Sequence, residues 1–181
     1  MNFTQKIASG FVGLSLFIMP SARAGVEESH KVLWNTLEEV GVELYLNDPD
    51  YCHIDEEVAG LYSPLYNVMV ICQDERLPIS DREVDWTPND YDTLRHEAHH
   101  VVQDCIAGFD NVHMEVFFND DDELKKFITK ALTEEQAGNI IEAYRGGGAT
   151  NEVIRHELEA FAVANSVSPE IISNVLLRVC G

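Results

Sequence analysis

Residues 92–106 read DTLRHEAHHVVQDCI, and the spacing of their apolar residues predicts a helix that ends at Gly108. One face of this helix is apolar and is expected to pack on a hydrophobic core, through Leu94, Ala98, Val101, Val102 and Cys105. His96 and His100 lie four residues apart, so both imidazoles leave the helix on the same side, about one turn from each other. The segment therefore predicts a central helix that packs on the core while its histidines face away from it.

The pentapeptide His96-Glu97-Ala98-His99-His100 has the spacing of a metal site. Two neutral imidazoles one helical turn apart can bind the same Zn²⁺ ion. Glu97 lies about 100° around the helix from His96, where its carboxylate can take a proton from zinc-bound water. His99 is either a neighbour of this site or a surface residue, and we favour the surface. The motif thus predicts Zn²⁺ as cofactor, His96 and His100 as ligands and Glu97 as general base.

A third ligand is predicted in residues 150–165, which read TNEVIRHELEAFAVAN. On a helical wheel, Leu158 and Phe161 lie on the buried face, and Glu157 falls within that face. Glu159 falls on the opposite, solvent side. A carboxylate within an apolar face is costly unless it is paired or binds a metal, so Glu157 is the predicted third ligand. Pairing of Glu157 with an arginine, or Glu159 as the ligand, stays open because helix boundaries read from one sequence are imprecise.

On these residues the chain resembles the zincin metallopeptidases of gluzincin type. The resemblance rests on His96-Glu97-x-x-His100 and on a later helix with Glu157-x-Glu159-Ala160-Phe161-Ala162. It implies a small N-terminal sheet packed on the active-site helix, followed by a helical C-terminal half. It also implies that a glutamate of the later helix completes the zinc site. By the same resemblance, the strand near residues 68–72 would be the edge strand that aligns an extended peptide substrate.

The remaining elements are predicted in an order of strands first and helices afterwards, which favours an α+β fold. A helix over residues 26–40 ends at Gly41, and alternating apolar residues predict a strand over 42–46. A second β-rich run covers 66–72, and a polar loop with two prolines covers 73–90. Capping patterns predict four further helices, over 122–130, from Thr133 to Tyr144, from Thr150 to Asn165, and from Ser168 onward.

Residues 1–24 have the three regions of a secretory signal peptide. Lys6 supplies the positive region, an apolar stretch follows, and Ala22-Arg23-Ala24 is the small-x-small pattern of a cleavage site. The apolar stretch is too short to span a bilayer comfortably. We therefore predict an exported protein, secreted or periplasmic, whose mature chain is a single zincin-like domain of residues 25–181.

The four cysteines of the chain all lie in this mature part, in a compartment that favours disulfides. None belongs to a CxxC pair, so a cysteine-based zinc site is poorly supported. Four cysteines allow three pairings, and sequence alone does not choose among them. We favour Cys52–Cys72 within the strand-rich region, and Cys105–Cys180 between the central helix and the C-terminus.

The chain of 181 residues carries 32 acidic and 12 basic side chains, which give a formal net charge of −20. Residues 1–24 hold Lys6 and Arg23 and no acidic residue, so their removal would take the net charge to −22. Phosphate backbones and anionic lipids repel so acidic a surface, which argues against nucleic acid and membrane as partners. We expect a monomer that acts on a peptide or protein substrate.

Three functional hypotheses follow from these features. The first is a secreted zinc peptidase that hydrolyses peptide bonds by metal-activated water, with Glu97 as general base. His113, Tyr144 and His156 are its candidate oxyanion stabilisers, which the sequence does not rank. The second is a catalytically inactive exported binding domain that keeps the zincin fold around a structural zinc. The third takes the motif as a chance match in a disulfide-stapled structural protein.

Overall fold

The computed structural model describes residues 20–52, 58–77, 80–109 and 112–181, with side chains from residue 27 onward. Most of the predicted signal segment, residues 1–19, lies outside the described residues. The predicted α+β class is confirmed. The elements are α1 (Pro20–Glu39), β1 (Glu43–Leu46), β2 (Gly60–Ser63), β3 (Val68–Ile71), α2 (Pro88–Ala107), α3 (Asp121–Ala131), α4 (Glu134–Gly146), α5 (Asn151–Ser166) and α6 (Pro169–Val179). In this part of the chain no helix combines the length and apolarity needed to cross a bilayer.

The central helix α2 begins earlier than predicted, because Pro88 starts it. Proline suits the first turn of a helix, where its missing N–H would have no helical partner. Thr87 and Asp90 form a capping box, in which the Thr87 side chain accepts from the Asp90 N–H and the Asp90 carboxylate accepts from the Thr87 N–H. Gly108 ends the helix in the left-handed region at a φ of 112°, as its sequence predicts.

The three strands form one sheet in the order β1-β3-β2. β1 pairs with β3 in parallel, and β2 pairs with β3 in antiparallel register. The prediction that residues 68–72 form an edge strand is therefore wrong, because β3 is the central strand. Its residues Met69, Val70 and Ile71 are completely buried, as expected of a strand covered on both faces. β2 is not among the predicted strands, because its four residues, GLYS, are too few and too mixed to show an alternating pattern.

The core lies between the sheet and three helices, α1, α2 and α6, which pack against one another. The predicted apolar stripe of α2 is buried in it. On its other side α2 packs along α5, which in turn contacts α3 and α4. The predicted starts of α4, α5 and α6 after Thr133, Thr150 and Ser168 are confirmed. Because α2 lies between the core and α5, it is buried on two sides rather than one.

Both favoured disulfides are present in the structure. Cys52–Cys72 has a Cα–Cα distance of 5.4 Å and joins a small apolar cluster with Val70. Cys105–Cys180 has a Cα–Cα distance of 5.2 Å and ties α2 to the residue that ends α6. The second bond therefore anchors the C-terminal helix to the helix that carries the histidine pair.

Removing Cys105–Cys180 should cost more stability than removing Cys52–Cys72, because it closes a longer loop. For sequence separations of 75 and 20 residues, chain entropy gives about 4.5 and about 3.3 kcal/mol, respectively. The measurement is urea unfolding of the paired variants C105A/C180A and C52A/C72A beside the wild type. The same measurement in reductant gives the effect of the Cys→Ala changes on packing alone, because the reduced wild type has neither cross-link. Once this packing effect is subtracted, a larger loss of unfolding free energy in C52A/C72A than in C105A/C180A would contradict the prediction.

Candidate metal centre

The central helix α2 presents His96 and His100 side by side. Their Nε2 atoms lie 3.1 Å apart, and their rings meet edge to face with centroids 4.7 Å apart. Phe161 of α5 packs against the ring of His96 at a centroid distance of 4.3 Å. Both histidines face away from the core cluster, as predicted, and they are nevertheless buried. The packing of α5 on α2 encloses them.

Glu157 reaches the same point from α5. Its Oε2 lies 3.2 Å from Nε2 of His96, and its Oε1 lies 3.6 Å from Nε2 of His100. Among the described residues, these three form the group of potential ligands whose donor atoms all lie within 4.8 Å of one another. The three predicted ligands are thus brought together, although Glu157 lies 57 positions after His100 in the sequence.

The spacing of these donor atoms fits a tetrahedral metal ion. Nitrogen and oxygen ligands at about 2.0–2.1 Å from such an ion lie about 3.3 Å from each other. The measured separations of 3.1, 3.2 and 3.6 Å fall around that value. In addition, apart from its ion-pair contact with His96, the buried Oε2 of Glu157 has no hydrogen-bond partner in the described part of the chain. The group could therefore hold a metal ion.

Comparisons of this chain with protein-family models, with curated proteins and with solved structures find no match. The functional interpretation therefore depends on the chemistry of the site itself.

The electrostatics of the group also suit a cation. Burial lowers the pKa of His100, but Glu157, Glu97 and Gln103 together outweigh this effect and raise the pKa to about 9. Burial raises the pKa of Glu157, while His100 and His96 lower it well below its usual range. Without a metal, a proton on His100 balances the buried carboxylate. A bound cation would replace that proton, because a metal ligand must offer a free lone pair.

Glu97 lies beside the three donors and against the edge strand β2. The backbone N–H of Tyr62 donates to its carboxylate. Burial raises the pKa of Glu97, although His96 and His100 oppose the change. The close approach of β2 requires Gly60, because a Cβ there would lie 2.6 Å from Cγ2 of Thr93 and 3.2 Å from Cγ of Glu97. Glu97 is thus held within the site without being one of the converging ligands.

Two predictions about neighbouring residues are wrong. The helical wheel predicts Glu159 on the solvent side of its helix, but Glu159 is completely buried. His99, which is predicted at the surface, is buried as well. They bind each other, with Nε2 of His99 donating to Oε2 of Glu159 at 3.0 Å. The helical wheel assumed a single buried face, whereas α5 packs against α2 on one side and against α3 and α4 on others. Glu159 therefore points away from the converging donors.

The candidate oxyanion stabilisers have different surroundings. His113 is exposed on the loop after α2. His156 is buried, and burial followed by the charge of His100 lowers its pKa. Tyr144 is buried as well, and its ring lies 6.4 Å from that of Phe161, which covers His96. His156 and Tyr144 therefore lie near the group that could hold a metal ion, through His100 and Phe161, respectively.

Two functional residues escaped the sequence analysis, Gln103 and Tyr62. Nδ1 of His100 donates to Oε1 of Gln103 at 2.8 Å. This contact could be predicted from the sequence, because His100 and Gln103 are three residues apart on one helix and are therefore neighbours on its surface. Tyr62 has no such signal, since it belongs to the short strand β2. Its hydroxyl donates to Oδ2 of Asp104 at 2.6 Å, which fixes β2 on α2.

Proposed function

We propose that the chain is an exported, zinc-dependent peptidase with a zincin-like fold. The observation that carries the proposal is the convergence of His96, His100 and Glu157, with the Glu97 carboxylate beside them. Two imidazoles and one carboxylate form the donor set of zinc sites that keep a fourth position open for chemistry. The packing of a small sheet on the helix that carries this motif supports the fold assignment.

A zinc ion held by these residues would polarise the substrate carbonyl and make water acidic enough to deprotonate near neutral pH. Glu97 then accepts the proton of the attacking water and passes it to the leaving amine. Its surroundings support this role. Burial raises its pKa above the usual range of a glutamate, and the Tyr62 N–H holds the carboxylate in place.

An extended peptide is the substrate class that the sheet favours. The Cys72 N–H donates to the Ala59 carbonyl oxygen, so in the antiparallel pair Gly60 and Tyr62 direct their backbone groups away from β3. That outer edge lies on the side of Glu97. Because the Tyr62 N–H already binds Glu97, a peptide added to this edge would pair with its other backbone groups and would place a carbonyl near the site. In this proposal the strand that aligns the peptide is β2 rather than the central strand β3.

A binding domain with a structural zinc is the second candidate. The observation that favours it is the burial of the donors, since His96 and His100 are each 6% exposed and Glu157 is 8% exposed. A structural zinc site is closed by four protein ligands, whereas hydrolysis needs an open position.

A broad peptide library separates the two candidates. We expect the disulfide-bonded, zinc-loaded chain to cleave a subset of peptides, to lose this activity to a chelator and to regain it with added zinc. Cleavage that persists in chelator would contradict the peptidase proposal. A chain that keeps one zinc but cleaves no peptide would favour the binding domain.

Export with removal of residues 1–24 is a further expectation, which two disulfides support. When the full chain is expressed in a bacterium with a secretory pathway, the protein recovered outside the cytoplasm should begin at Gly25. N-terminal sequencing and intact mass measure this directly. Replacing Ala22 and Ala24 by bulky residues should block the cleavage. Recovery of an uncleaved wild-type chain would contradict the prediction.

A further inference from the structure

Glu159 is a buried carboxylate with an unusual number of donors. Its Oε2 accepts from Nε2 of His99 at 3.0 Å, from Nε2 of Gln103 at 2.8 Å and from the N–H of Phe117 at 2.9 Å. Its Oε1 accepts from the N–H of Phe118 at 3.0 Å. These donors come from α2 and from the loop before α3, and they lower the pKa of Glu159 despite its burial. The carboxylate is therefore a fixed acceptor two residues from Glu157.

Gln103 connects this acceptor to the metal site. Its Nε2 donates both to Glu159 and to the backbone oxygen of His156, the latter at 3.1 Å. Because both partners are acceptors, the amide nitrogen must face them, and the amide oxygen must face His100. Oε1 lies 2.8 Å from Nδ1 of His100. Nδ1 of His100 therefore carries a proton, and Nε2 is left to offer its lone pair to a metal.

His96 provides an internal contrast. Within the described residues its Nδ1 is buried and has no hydrogen-bond partner. Its ring is positioned by packing against Phe161. Of the two histidines, His100 is thus the one whose tautomer and ring orientation are set by a chain of hydrogen bonds.

We propose that Glu159 is a positioning residue that acts through Gln103 to fix the tautomer and orientation of His100. The inference rests on the metal site of the proposed function and adds a supporting residue to it. A carboxylate behind a histidine ligand also makes the imidazole a better donor. Glu159 therefore contributes to metal affinity without touching the metal, as a supporting residue and not as a ligand.

The test is a double-mutant cycle on metal affinity with Co²⁺ and Zn²⁺ as probes. Co²⁺ binding is read from its visible spectrum, and Zn²⁺ affinity is read by competition with a coloured chelator. We expect Glu159→Gln and Gln103→Met each to weaken binding by about 10–100-fold. In the Gln103→Met background, Glu159→Gln should cause no further loss, because it acts through the missing amide. Glu152→Gln, an exposed change of equal charge on α5, is the control and should bind as the wild type does.

The outcomes separate this inference from the proposed function. Equal metal affinity in the wild type and in Glu159→Gln would overturn the inference alone. A loss from Glu159→Gln that persists in full in the Gln103→Met background would also overturn it, because the role would then be structural. If Glu159→Gln does not fold, Gln103→Met decides by itself, and unchanged affinity there overturns the inference. A wild type that binds neither ion would overturn both proposals.

Discussion

Glu97→Gln should keep the metal and lose hydrolysis by about 10²–10⁴-fold in kcat. The amide has the size and shape of the carboxylate but cannot accept a proton. The three donor atoms that could hold the metal belong to other residues, so metal content should stay at the wild-type level. The measurement pairs metal analysis with the turnover of a peptide found in the library screen. Glu152→Gln, which changes an exposed carboxylate, should keep both quantities.

A Glu97→Gln variant with wild-type turnover would contradict the assignment of Glu97 as general base. Loss of both metal and activity would contradict its place outside the ligand set. Thermal unfolding of the variant serves as a check of the fold, since Glu97 also accepts from the Tyr62 N–H and its replacement changes that contact.

Removal of a ligand should abolish the stabilisation that zinc gives to the fold. Zinc at 1,000 times its dissociation constant adds about 4 kcal/mol to the free energy of unfolding, or about 8–16 °C in Tm for a chain of this size. We expect the wild type to gain such a shift and His96→Ala, His100→Ala and Glu157→Ala each to lose most of it. Thermal unfolding with zinc or with chelator measures the shift.

His113→Ala is the matched control for this series, because His113 is exposed on the loop after α2. It should keep the zinc-dependent shift of the wild type. An equal shift in the wild type and in Glu157→Ala would contradict the role of Glu157 as a ligand. The same result in His100→Ala would contradict the metal site as a whole.

Local signals predicted much of the fold. Thr133, Thr150 and the Ser168-Pro169 pair mark helix starts by short-range hydrogen bonding and proline geometry, which act within a few residues. Predicted export favoured disulfides over free thiols, and the favoured pairing was one of three that the sequence allows. The order of the sheet did not follow, because strand pairing is a long-range property, and the short strand β2 has no alternation to reveal it.

The same contrast between local signals and long-range packing applies to the residues of the candidate site. His96, Glu97 and His100 share one helical turn, so their spacing alone predicts their geometry. Glu157 could be predicted because a carboxylate on an apolar face needs a partner. Glu159 could not be placed correctly, since its helix is covered on several sides and a wheel shows only one apolar face. Its donors come from elements whose positions depend on tertiary packing.

Anomalous diffraction at the zinc absorption edge, from crystals of the purified mature chain, tests the metal site most directly. We expect one zinc peak per chain, within about 2.0–2.2 Å of Nε2 of His96, Nε2 of His100 and a carboxylate oxygen of Glu157. The fourth position should hold no protein atom and should lie within reach of Glu97. Absence of zinc at these residues, or a fourth protein ligand that closes the site, would contradict the proposed peptidase.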